Sequence, residues 1–271
     1  MNPPKHAIIT GGSSGIGLAI AHRLAAQGAS LSLIARTPEK LEAARAQLEA
    51  KRRLPDQQVF TVAADVADRA QADQAVQRAI AHLGPPDWLV TCAGIARPGE
   101  FLEIPVEVFE RTMAVNYFGT LYCIRAALPA MEQQRHGQIV CVSSGAGLIG
   151  LYGYTAYSPS KFALRGLAES LRGELKPKGI GVSIVYPPDT DTPQLAEENK
   201  TKPLVTQKIT ATAKTWSADG VAEVILAGVQ RRAFAITPGF EMGVLNRLHS
   251  VLLPMLNQSF DKITAKVRNL Q

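Results

Sequence analysis

Tyr157 and Lys161 stand four residues apart, and Ser144 precedes Tyr157 by thirteen. On a helix, that spacing places both side chains on one face, a turn from each other. A free tyrosine titrates near pH ~10, and a neighbouring ammonium favours the phenolate, so the pair is expected to lower the Tyr157 pKa. A phenol tuned in this way can give or take a proton near neutral pH, as general acid–base catalysis requires. Of the adjacent Ser143 and Ser144, the spacing to Tyr157 favours Ser144 as the hydroxyl partner. Tyr152 and Tyr154 have no Lys four residues on and are expected to line a substrate entrance.

Chemistry on such a pair needs a scaffold, and the N-terminus supplies its first part. His6-Ala-Ile-Ile9 reads as a buried strand, and Thr10-Gly-Gly-Ser-Ser-Gly-Ile-Gly17 follows directly. The amphipathic run from Leu18 to Gln27 comes next. A strand, a glycine turn and a helix in that order put a pyrophosphate on backbone N–H groups at a helix N-terminus. Gly11, Gly15 and Gly17 permit the tight turn and close approach of backbone to ligand. Their spacing is G-x-x-x-G-x-G, distinct from the commoner dinucleotide fingerprint.

The rest of the chain alternates strand and helix. Strands are predicted at 7–10, 30–35, 58–63, 88–91, 138–143, 181–186 and 233–237. Helices are predicted at 16–27, 38–48, 69–83, 106–131, 156–175 and 218–230. This alternation specifies an α/β fold: a Rossmann-type, doubly wound, seven-stranded parallel sheet covered by helices on both faces.

Together, the glycine turn and the Ser/Tyr/Lys set resemble the short-chain dehydrogenase/reductase family, from about Ala7 to Thr237. The resemblance implies a catalytic tetrad of Asn116, Ser144, Tyr157 and Lys161. It implies a cofactor site built from Thr10, Gly11, Ser13, Ser14, Gly15, Ile16, Gly17, Asp65, Val66, Ala93, Gly94, Tyr157, Lys161, Pro187, Thr190 and Thr192, with Asp65 meeting the adenine. Cys92 departs from the family's Asn-Ala-Gly and lacks the hydrogen bonds of an Asn. The implied reaction is hydride transfer between nicotinamide and a carbonyl carbon. Tyr157 protonates the alkoxide, Ser144 donates to its oxygen, Lys161 holds the ribose, and Asn116 supports a proton-relaying water. A homodimer or homotetramer joined through the helices at 106–131 and 156–175 is also implied.

Arg36, at the end of the second strand, stands where an NAD-binding site carries an acidic residue. A guanidinium pairs with a ribose 2′-phosphate through parallel donors, and Ser13 can add a hydroxyl, so the cofactor expected is NADP(H). Farther on, Tyr186-Pro-Pro-Asp-Thr-Asp-Thr-Pro193 and the following Ala-Glu-Glu-Asn-Lys-Thr-Lys-Pro203 are similar to the 3-ketodihydrosphingosine (3-ketosphinganine) reductase subfamily. That substrate carries an ammonium beside its ketone. Asp189 and Asp191 either anchor the cation or cap the mobile lid expected at about 188–216. Two alternatives stay open: a reductase of another carbonyl class (a 3-oxoacyl thioester, steroid or xenobiotic ketone), or a silent NADP(H)-binding sensor.

The 271 residues, 46% hydrophobic and 19% charged, fit one enzyme domain at 1–239 with an extension at 240–271. Cys92, Cys123 and Cys141 sit in or beside apolar runs and read as buried free thiols, with neither disulfide framework nor metal site. Met1-Asn-Pro-Pro-Lys5 leads straight into a strand, so neither a signal peptide nor a transmembrane helix is expected, and the location expected is cytoplasmic. The net charge of +6 suits an anionic cofactor, and no basic, aromatic-interleaved stretch points to nucleic acid. In the extension, Leu245, Leu248, Leu252, Leu256, Phe260, Ile263 and Val267 recur at helical spacing beside Arg247, Lys262, Lys266 and Arg268, with Pro254 expected to bend the run. Peripheral membrane contact, a subunit contact and a lid on the core all suit that pattern.

Overall fold

Seven parallel strands form the sheet: β1 (His6–Thr10), β2 (Ser30–Ala35), β3 (Val59–Ala63), β4 (Trp88–Thr91), β5 (Gly137–Val142), β6 (Ile180–Val185) and β9 (Ala235–Ile236). The computed structural model describes residues 3–211 and 213–269. Strand order is β3-β2-β1-β4-β5-β6-β9, and every pairing is parallel. The order reverses between β1 and β4, and at that switch point the carboxyl ends of the strands open a crevice for ligand.

Side chains alternate across the pleat, so one strand feeds two cores. Ile8 packs on one face with Val76 of α3 (Arg69–Leu83), Ile124 of α5 (Gly119–Gln134) and Ala168 of α6 (Tyr157–Leu175). Ala7 and Ile9 pack on the other with Leu24 of α1 (Gly15–Ala25), Leu48 of α2 (Pro38–Glu49) and Ile225 of α9 (Ala218–Gln230). Both faces are fully buried, which is why these strands read as continuous apolar runs. Each large aliphatic side chain so buried contributes about 1.5–3 kcal/mol.

Most predicted elements lie within a residue or two of their observed bounds; three regions differ. The helix predicted at 106–131 is α4 (Val106–Met113), a π turn (Ala114–Phe118) and α5. The widened turn contains Asn116, whose side chain bonds to Ile95 and Ser160 elsewhere in the fold. The lid expected at 188–216 carries regular elements among its described residues. Strands β7 (Thr190–Asp191) and β8 (Trp216–Ser217) pair at its base, and α7 (Pro193–Thr201) and α8 (Leu204–Thr210) form its body. Beyond β9, α10 (Phe240–Arg268) is one continuous helix with Pro254 inside it. Leu245 packs on the sheet core, α10 contacts α8, and Val267 is buried, whereas Phe240, Leu248, Val251, Leu253 and Met255 face outward. The inner part of the predicted stripe therefore covers the protein body.

Candidate active site

The crevice is walled by the turn after β1, the ends of β2 to β5, the start of α6 and the segment after β6. Tyr157 opens α6, where its N–H and that of Ser158 donate to the Tyr154 carbonyl at 3.0 and 2.8 Å. Lys161 follows one turn later, with Nζ 5.5 Å from the Tyr157 ring centre and donating to the Val142 carbonyl at 3.1 Å. Ser144, Tyr157 and Lys161 all line the crevice. Ser143 lines the crevice too, but its buried hydroxyl donates to the Lys161 carbonyl at 3.0 Å. Ser144 Oγ accepts from the Ala146 N–H at 3.1 Å and faces the crevice with Tyr157.

Electrostatics at the pair differ from the expectation. Burial, then the charge of Glu198, push the Tyr157 phenol well above its ordinary range, against the opposing pull of Ser144 and Gln194. Burial likewise lowers Lys161 to about 8, despite nearby groups that favour its charge. The cation lies beside the ring, yet desolvation outweighs the attraction that the helical spacing suggests.

Asn116 does not line the crevice; it braces it. Its Oδ1 accepts from the Ile95 N–H at 2.9 Å, and its Nδ2 donates to the Ile95 carbonyl at 3.0 Å and to Ser160 Oγ at 2.9 Å. Thr10 braces too: its hydroxyl accepts from the N–H groups of Cys92 and Ala93, both at 3.2 Å. Thr10 thus holds the backbone at Cys92, whose own side chain cannot make the hydrogen bonds of an Asn amide. Burial pushes the Cys92 thiol up to about 11.

At the turn, Gly11 and Gly15 have φ of +67° and +55°, conformations that side chains strain. A β-carbon on Gly17 would collide with the Gly11 carbonyl, so Gly17 serves close packing of α1 on the turn. Ser14 starts α1 without a side-chain capping bond, which leaves first-turn N–H donors beside the crevice. This uncapped, crevice-lining helix start and the bare backbone of Gly11, Ala93 and Gly94 fit a dinucleotide pyrophosphate and nicotinamide. Arg36, Ser13, Asp65, Val66, Pro187, Thr190 and Thr192 line the same crevice.

Residues 5–203 match the family described as short chain dehydrogenase. The chain belongs to that family.

This short-chain dehydrogenase is 45% identical over 252 residues to a 3-dehydrosphinganine reductase of Danio rerio, covering 92% of this chain and 76% of the relative. It is 37% identical to a 3-ketodihydrosphingosine reductase of Dictyostelium discoideum, covering 98% and 84%. Among solved structures, a short chain dehydrogenase/reductase of Burkholderia phymatum in complex with NAD superposes with a TM-score of 0.81 at 25% identity, covering 93% and 94%. The protein is an oxidoreductase of this family, whose members use NAD or NADP.

Some placements in this short-chain dehydrogenase depart from the sequence reading. Asp191 is exposed and outside the crevice; Asp189 lines it, with its carboxylate 3.9 Å from the Lys202 ammonium. Neither Asp caps α7, because Thr192 Oγ1 accepts from the Leu195 N–H at 3.3 Å and does so instead. Tyr152 is held outside the crevice by Glu100, with its hydroxyl donating at 2.7 Å. Tyr154 is buried in the wall.

Sequence reasoning missed four residues. Arg111 pairs with Asp65: burial opposes its charge, but the guanidinium and the Ala67 N–H hold that carboxyl below the usual range. Lys40, in the first turn of α2 and four residues past Arg36, lines the crevice. Gln194 and Glu198 lie in the wall beside Tyr157, and Glu198 was visible only as one of two adjacent acids in a polar run. Among the described residues, no His, Cys, Asp and Glu group could hold a metal, and no helix is long and apolar enough to cross a membrane.

Proposed function

We propose that the protein reduces the ketone of 3-ketodihydrosphingosine to dihydrosphingosine with NADPH, a step of sphingolipid biosynthesis. The observation that carries this reading is the similarity, over nearly the whole chain, to relatives bearing that reductase name. The convergence of Ser144, Tyr157 and Lys161 on one crevice supports the chemistry.

The bound dinucleotide supplies the hydride. Tyr157 stays protonated through neutral and alkaline pH because burial holds its pKa high, so it is equipped to give its proton to the nascent alkoxide. Ser144 donates a hydrogen bond to the same oxygen. Lys161 holds the nicotinamide ribose and returns the proton through a water supported by Asn116. Arg36 and Lys40, with Ser13, bind a 2′-phosphate and set the preference for NADPH; Ala35-Arg36-Thr37 contributes no acidic side chain to the crevice there.

Two copies join through α4, α5 and α6; Val106 on α4, Phe162 on α6, Phe118 in the π turn and Phe101 and Leu102 just before α4 are exposed. The outward Phe240, Val251 and Met255 of α10 rest on the cytoplasmic face of the membrane that holds the lipid substrate. Flotation with anionic vesicles checks the second point, and absence of binding would remove it.

NADPH oxidation is the direct test, with 3-ketosphinganine in detergent offered beside an acetoacetyl thioester. Turnover of the keto amine, lost in Tyr157→Phe by a factor of about 100 or more, supports the proposal. Turnover of the thioester alone overturns the substrate and leaves the oxidoreductase.

A further inference from the structure

Three carboxylates line the crevice, and they differ in their partners. Asp65 is paired with Arg111, and Asp189 has Lys202 nearby. Glu198 is only 7% exposed and has no ion-pair partner among the described residues. Its Oε2 accepts from the Tyr154 hydroxyl at 2.7 Å, and its Oε1 from Gln194 Nε2 at 2.8 Å. Both donors are neutral. Burial and the Glu198 charge keep the Tyr154 phenol far above its ordinary range, so it remains a donor to the carboxylate. The Lys161 charge reaches Glu198, but among the described residues no cation stands within ion-pair distance of it. Taking a carboxylate out of water with only neutral hydrogen-bond donors in contact is costly, and a cation placed against it would offset that cost.

The position of Glu198 matches a particular cation. The Tyr154 and Tyr157 ring centres are 5.6 Å apart, and Gln194 neighbours both the Tyr157 phenol and Glu198. The carboxylate is therefore one side chain removed from the proton donor. In a 2-amino ketone, the nitrogen is bonded to the carbon next to the carbonyl. A carbonyl oxygen placed at Tyr157 and Ser144 carries its ammonium into the same part of the wall.

Resting on the keto-amine reading above, we propose that Glu198 receives the substrate ammonium and is the residue that selects amino ketones over neutral ketones. Tyr154 and Gln194 orient the carboxylate for it. Asp191 cannot serve from outside the crevice, and Asp189 already faces Lys202.

The test compares wild type, Glu198→Gln and Glu198→Asp on 3-ketosphinganine and on its deamino analogue of equal chain length, in the same detergent. NADPH binding, followed by fluorescence, checks the fold of each variant. The expected result is a fall of about thirtyfold in the kcat/KM preference of Glu198→Gln for the amino ketone, chiefly through KM, with partial recovery in Glu198→Asp. An unchanged preference, or equal losses on both substrates, overturns the proposal while leaving the keto-amine reading intact. A wild type that reduces the neutral ketone but not the keto amine overturns both. Wild type alone gives an independent measure should Glu198→Gln fail to fold. A long-chain 2-amino alcohol should inhibit at least about tenfold more tightly than its deamino counterpart. Equal inhibition overturns the proposal.

Discussion

Asn116 closes a two-way hydrogen-bonded clasp on Ile95, accepting from its N–H at 2.9 Å and donating to its carbonyl at 3.0 Å. The same amide reaches Ser160 at 2.9 Å, and Ser160 donates to the Tyr157 carbonyl at 2.7 Å. One side chain in a π turn thus joins the strand-end loop after β4 to the first turn of α6. Widened helical turns of this kind recur at functional sites, where they redirect a side chain at the cost of regular helix bonding.

Removing the clasp orphans both backbone groups of Ile95. Asn116→Ala is expected to lose about 2–4 kcal/mol of stability in urea unfolding and to lower kcat by at least about tenfold. A variant that unfolds at the wild-type urea concentration would mean water replaces the clasp without loss.

Alkaline pH should act on Lys161 before Tyr157. Lys161 titrates at about 8 in the fold, so its ammonium is lost above that pH while Tyr157 remains protonated. The kcat/KM for reduction is expected to be level near neutrality and to fall about tenfold per unit above pH ~8. Stability carries the opposite sign. The unfolded chain holds the Lys161 proton up to the ordinary 10.5, whereas the native chain releases it near 8. Between these values the unfolded state binds more protons, so this residue's contribution to stability rises with pH and is unfavourable below the window. Stability of wild type relative to Lys161→Met, measured from pH 7 to 10, should therefore shift toward wild type.

Cofactor preference should follow charge at the end of β2. Arg36→Glu is expected to raise the KM for NADPH by about tenfold or more and to change that for NADH by less than about threefold. Equal effects on both cofactors would refute the assignment.

Gly17 tests the glycine turn without touching the reactive groups. Because an added β-carbon would meet the Gly11 carbonyl, Gly17→Ala must displace either the turn or α1. Weaker NADPH binding by about tenfold or more and a lower melting temperature are expected. Titration by fluorescence and a thermal melt read the two effects.

The sheet and its helices were legible because their determinants are local. Ile8 and Ile9 lie in an apolar run, Gly11 and Gly15 sit where φ must be positive, and Tyr157 and Lys161 are spaced by one helical turn. Each of these features acts through neighbours in sequence. The family resemblance then picked out Ser144, Tyr157 and Lys161, which the structure gathers at one crevice.

What the chain alone could not decide depends on which distant groups share a space. A single helix was expected from Val106 to Met131, yet the helix widens at 114–118, where the Asn116 amide meets Ile95 of another segment. Asp191 and Glu198 are equally acidic in sequence, and only the packing of α7 leaves one in solvent and buries the other beside Tyr154. Spacing placed Lys161 next to Tyr157, but the direction of the phenol's shift follows from how completely both are removed from water. Burial and charge pairing are sums over the whole folded environment, and no local pattern contains them.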